Sequence, residues 1–168
     1  HYSRREFLKR TCHRAAIAPF LIYSPRSGAA PPNERITMGC IGVGNQGGSD
    51  TRMFLGDPRV QIVASCDVDL GRAKSMAGII DKHYAQGAPS GSSRGCDITQ
   101  DYREILSRDD IDTVMIATPD HTHAVIAIEA ARRGKDIYCE KPLAYSVAEG
   151  RAIVNAVRRY GRVLQTGT

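Results

Sequence analysis

The sequence predicts an α/β fold built on a doubly wound, mostly parallel sheet, and three observations carry that expectation. Short apolar runs with strand character alternate with helical patterns about a dozen residues long, the order that produces βαβ units. The first run feeds directly into a glycine turn, Gly42-Val43-Gly44-Asn45-Gln46-Gly47, before a helical segment opens. The second run closes on an acid, Asp67.

Taken in order, residues 36–43 alternate and run apolar into the glycines, a first strand, and 49–55 follow as a short helix. A second strand spans 60–66 and a helix 70–84. Residues 86–98 are rich in Gly and Ser and read as a flexible loop. A helical turn over 101–106 leads to a strand at 112–117 and a helix at 123–133, closed by Gly134. A strand at 136–139, a helix at 146–160 ended by Gly161 and a last strand at 163–166 complete the pattern. Right-handed crossovers between parallel strands are the expectation for such an order.

The chain has 168 residues, the size of one domain with a proper core. Its net charge of +5 is local. Arg4, Arg5, Lys9, Arg10, Arg14 and Arg26 face only Glu6 in the first 26 residues, leaving 17 basic and 17 acidic side chains in the rest. A nucleic-acid-binding fold would carry a basic face with aromatics placed for stacking, whereas this fold is neutral and the whole chain has only ten aromatics and no Trp. The five cysteines are scattered with no CxxC pair, which argues against a zinc knuckle or a disulfide framework. Cys40, Cys66 and Cys139 fall in strand-like runs and read as small buried hydrophobes.

Residues 1–32 read as a leader and linker ahead of a nucleotide-binding domain at 33–168. Ser3-Arg4-Arg5-Glu6-Phe7-Leu8-Lys9 resembles the twin-arginine export motif, and the apolar stretch 15–23 behind it is too short to span a bilayer. The expectation is export of the folded, cofactor-loaded protein to the periplasm without a membrane anchor. The alternative is a basic amphipathic helix of a cytoplasmic enzyme, against which Pro19 counts. With His1 at its start, the chain is expected to lack part of its N-terminus.

The glycine pattern has a mechanical reading. Gly42 permits the tight turn out of the strand, Gly44 lets backbone approach a pyrophosphate, and Gly47 lets the helix pack on the strand. Phosphates would then sit on the helix N-terminus, with Asn45 and Gln46 in the turn beside them. Asp67 would accept hydrogen bonds from the adenosine ribose and repel a 2′-phosphate, so NAD is favoured over NADP. Arg72 could offset that repulsion or stack on the adenine. His121 and His123, with Asp120 beside them, raise the question of a metal. Residues two apart at a helix start share no face and no further ligand set is evident, so no metal site is expected.

Two further segments, 117–123 with Thr118-Pro119 and His123, and Glu140-Lys141-Pro142, complete a constellation. With the glycine turn and Asp67, it resembles the Gfo/Idh/MocA family of nicotinamide-dependent oxidoreductases over about residues 35–168. The resemblance implies a Rossmann-type domain in which Thr118 and Pro119 lie along the nicotinamide side and His123 belongs to the cofactor pocket. Glu140-Lys141-Pro142 matches the family's EKP signature, and Lys141 would hold the substrate and favour a developing alkoxide. The family's second, α+β domain, with an acid/base histidine and usually the oligomer contacts, has no counterpart in this chain, which is expected to be a fragment without turnover of its own. The implied activity is oxidation or reduction at a sugar or polyol hydroxyl. A related branch of NAD-dependent glycosidases is the alternative, but its members lack the EKP lysine. A non-catalytic NAD-binding module is the third reading.

Overall fold

The computed structural model describes residues 34–86 and 95–168. The twin-arginine leader and linker read from residues 1–32 therefore lie outside the described residues, as do residues 87–94 of the Gly/Ser-rich stretch.

Among the described residues six strands form one sheet: β1 (Ile36–Ile41), β2 (Val60–Cys66), β3 (Asp97–Thr99), β4 (Thr113–Ile116), β5 (Asp136–Cys139) and β6 (Leu164–Thr166). Their order is β3-β2-β1-β4-β5-β6, and every neighbouring pair is parallel. Five helices make the connections: α1 (Asn45–Leu55), α2 (Leu70–Ala85), α3 (Tyr102–Leu106), α4 (Asp120–Arg132) and α5 (Val147–Arg159). This is the doubly wound Rossmann architecture, with the order reversing between β1 and β4.

The sheet is buried on both faces, as parallel sheets are. On one face Met38, Cys40, Ile62 and Met115 pack under Leu55 of α1 and Met76 and Ile80 of α2. On the other Ile41, Val114, Ile116 and Ile137 pack under α3, α4 and α5, where Ala124, Ala127, Ala130 and Ala131 allow α4 to lie close. The thiols of Cys40, Cys66 and Cys139 are buried, and burial pushes each up to about 12. They are packing groups.

Several ends shift by a single residue, and four differences from the sequence reading are larger or bear on the site. Asp97 and Ile98, read as the end of the loop, belong with Thr99 to a strand, β3, paired with β2. Helix α1 begins at Asn45 rather than residue 49, and α4 at Asp120 rather than 123. The run into the glycine turn leaves the ladder at Ile41, two residues early.

The register matters most for function. Thr99, Cys66, Ile41, Ile116, Cys139 and Thr166 stand in one row across the sheet. The ladder runs one residue further: the Gly42, Ala117, Glu140 and Gly167 amides donate to Cys66, Ile41, Ile116 and Cys139 carbonyls at 2.8–2.9 Å. The glycine turn, the Thr118-Pro119 segment and Glu140-Lys141-Pro142 thus leave the sheet side by side at its carboxyl edge.

Candidate functional site: a nucleotide cleft at the switch point

Where β1 and β4 diverge into their helices, a cleft of about 670 Å³ opens at the carboxyl edge. Gly42, Gly44, Asn45 and Gln46 form one wall, Asp67 and Arg72 a second, and Thr118 and Pro119 a third. Eight of the residues singled out from sequence therefore converge here.

The floor is shaped by close approach of backbone. Gly42 has φ +81°, and a methyl there would stand 2.7 Å from the Ala117 carbonyl oxygen. A methyl on Gly47 would land on the Gly42 carbonyl. Any side chain at either position would fill the turn or push α1 off the sheet.

Helices α2, α3 and α5 each carry a side-chain cap, from Asp69, Asp101 and Ser146. Helix α1, entered from Gly44, has none, and its first-turn amides are free of side-chain partners. Free amides and the positive end of the helix dipole form an anion site, and no acidic residue occupies that first turn. A cradle that a methyl would fill and an uncapped helix start fit a dinucleotide pyrophosphate.

Asp67 is buried at the end of β2. Its Oδ2 accepts the Val43 amide at 3.0 Å and its Oδ1 the Asp69 amide at 3.0 Å, so the carboxylate fastens the glycine turn as well as facing the cleft. Two of its roughly four acceptor positions remain for a ribose. Arg72 lies over the turn: a methyl on Gly44 would meet its Nη1 at 2.9 Å, and its Nε is 3.6 Å from Asp69 Oδ2.

His123, Gly47 and the Glu140-Lys141-Pro142 segment do not line the cleft. The His123 ring is 1% exposed and stands between two backbone oxygens, Nε2 2.7 Å from Thr118 O and Nδ1 2.8 Å from Pro142 O. It ties the loop after β4 to the loop after β5. Glu140 is buried just past the end of β5, where Oε1 accepts the Tyr138 hydroxyl at 3.1 Å and Oε2 the Lys141 amide at 3.1 Å. Burial and that carboxylate push the Tyr138 phenol up to about 12. The Lys141 side chain is exposed.

Sequence reasoning missed Gln100 and Tyr102, which line the cleft: Gln100 follows the unrecognised strand β3, and Tyr102 was read only as part of a helical turn. It also missed Asp50, buried on α1 with a side chain that accepts from Gln46 Nε2 at 2.9 Å. An Asp in a polar helix segment gives no signal of burial.

The family model describing an oxidoreductase family with an NAD-binding Rossmann fold, Gfo/Idh/MocA, matches residues 36–168. The chain belongs to this family. It is a Gfo/Idh/MocA NAD(P)-binding domain, and the cleft lies at the switch point, where open α/β sheets take their ligands. Among curated relatives, an inositol 2-dehydrogenase of Rubrobacter xylanophilus is 32% identical over 133 residues, 79% of this chain and 34% of the relative. A glycosyl hydrolase family 109 protein of a Shewanella species is 35% identical over 156 residues, 88% of this chain and 32% of the relative. Among solved structures, a putative myo-inositol dehydrogenase of Sinorhizobium meliloti superposes with a TM-score of 0.68 at 28% identity, covering 79% of this chain and 36% of that one. The chain thus spans about a third of the length of the relatives it matches.

Proposed function

We propose that the protein carrying this domain oxidises or reduces a sugar or polyol hydroxyl with a nicotinamide cofactor, NAD in preference to NADP. The observation that carries the reading is the His123 tie. It joins the cleft wall at Thr118 to the loop of Lys141 through two backbone contacts, 2.7 and 2.8 Å, so the one exposed ammonium of that loop belongs to the cleft's Thr118-Pro119 end.

The cofactor, when bound, supplies hydride acceptance from the carbinol carbon or donation to a carbonyl. The chain's own residues do the rest. The α1 amides hold the pyrophosphate, Asp67 the ribose, and Thr118 and Pro119 shape the nicotinamide end. Lys141 orients the substrate hydroxyl and stabilises negative charge on its oxygen, while the hydroxyl proton passes to an acid/base group of the substrate domain. Glu140 and Pro142 hold the lysine's backbone. The like charge of Asp67 supports NAD, with Arg72 as the group that would weaken the preference.

Likeness to glycosyl hydrolase family 109 supports a second reading, a glycosidase with transient redox chemistry. Products separate the two: net NADH or an oxidised sugar favours oxidoreduction, whereas released aglycone at constant NAD favours hydrolysis. We further infer from the arginine-rich leader that the protein is exported to the periplasm. Arg4→Lys with Arg5→Lys should then retain it in the cytoplasm on fractionation, with cofactor affinity unchanged.

A further inference from the structure

Gln46, Asp50 and Phe54 stand four residues apart on α1 and form one stripe toward the end of β5. Phe54 meets the Tyr138 ring edge-on at 5.0 Å between centroids, and Gln46 donates to Asp50 Oδ1 at 2.9 Å. Asp50 is 5% exposed, yet its Oδ2 is buried with no hydrogen-bond partner. A buried carboxylate oxygen without a donor is costly, and native structures keep few of them.

The nearby hydroxyl and amide donors already serve other acceptors. The Tyr138 hydroxyl donates to Glu140 Oε1, the Thr51 hydroxyl donates to the Gly47 carbonyl at 2.6 Å, and the Gln46 amide already serves Oδ1. Glu140 is an acid with both oxygens engaged. Burial raises the Asp50 carboxyl above its ordinary value; the Gln46 hydrogen bond lowers it, the Glu140 charge raises it and the Lys141 charge lowers it. Cys40, from β1, is the remaining titratable group that feels Asp50. Among the described residues Lys141 is the cation whose charge acts on Asp50, with an exposed flexible stem and three donors.

We propose that Asp50 is a positioning residue for Lys141: its unpartnered Oδ2 is the acceptor that draws the ammonium inward from solvent and fixes its approach to the reacting oxygen. The positioning role rests on the oxidoreductase reading above, while the pairing does not. Asp50 touches no substrate and acts through the lysine.

Carbon-13 titration of the Asp50 carboxyl in the full chain, as wild type and as Lys141→Met, tests the pairing without any turnover. The midpoint should move upward in Lys141→Met, by about half a pH unit or more. An unchanged midpoint overturns the pairing, whatever turnover shows. In the protein carrying its substrate domain, Asp50→Asn should lower kcat about tenfold with NAD affinity unchanged, the loss expected for a group acting through another. Unaltered kcat there overturns the positioning role. If the midpoint moves but no substrate yields NADH, the pairing stands and the oxidoreductase reading fails.

Discussion

Asp67 and Val43 are joined across the cleft floor: the carboxylate at the end of β2 accepts the amide of the glycine turn at 3.0 Å. One side chain thus shapes the turn and lines the cleft. Asp67→Asn and Asp67→Ala should therefore behave differently. The asparagine keeps one oxygen for the Val43 amide, gives up the acceptor for the Asp69 amide and removes the charge, so NADP affinity should rise about tenfold relative to NAD. The alanine leaves a buried amide unpaired and should also lose about 1–3 kcal/mol of stability. Calorimetric titration with both nucleotides and urea unfolding distinguish the two effects. Equal preference in wild type would shift the assignment to Arg72.

Gly47→Ala should disable nucleotide binding. Its methyl would land on the Gly42 carbonyl, with the Ala117 side chain 2.9 Å away, so α1 must move off the sheet. A stability loss of about 3 kcal/mol and loss of measurable NAD binding are expected. NAD binding at wild-type affinity would mean that the turn is not the pyrophosphate cradle.

His123→Phe keeps the volume of the ring and removes both polar contacts. Thr118 and Pro142 carbonyls would lose their partner, for a cost of about 1–3 kcal/mol. Because the ring lies outside the cleft, NAD affinity should hold within a few-fold while kcat falls with Lys141 misplaced. A collapse of NAD affinity with kcat intact would instead make His123 a direct cofactor contact.

These residues differ in how legible they were. The Rossmann order and the glycine turn follow from local patterns, and 60–66 and 136–139 match β2 and β5 to the residue. Strand β3 escaped because its three residues, Asp97, Ile98 and Thr99, carry no apolar run and pair on one side only. Helix α1 begins early because Gly47 and Gly48, poor helix formers, are held in it by close packing on the turn. His123 and Asp50 owe their roles to partners distant in sequence: Pro142 is nineteen residues from His123, and Glu140 and Lys141 lie beyond four intervening strands, β2 to β5, from Asp50. No local pattern encodes such contacts.

The buried Asp50 also has a stability consequence. Its carboxyl is raised above the ordinary 3.8, burial being the largest cause, so the folded state holds the proton more tightly than the unfolded chain does. Stability is then lost as pH rises from about 4 through the folded value, and Asp50→Asn escapes that loss. Urea midpoints should favour Asp50→Asn at pH 7, and the gain should vanish below the ordinary carboxylate range. A gain independent of pH would mean that ionisation is not its source.

The role of Lys141 is tested most directly by NADH formation at 340 nm in the protein carrying its substrate domain, as wild type and Lys141→Ala, against sugars and polyols. A charge aimed at a developing alkoxide acts mainly in the transition state, so turnover should fall by about two to three orders of magnitude with NAD affinity within a few-fold. Full turnover in Lys141→Ala, or aglycone release at constant NAD in wild type, would contradict the account.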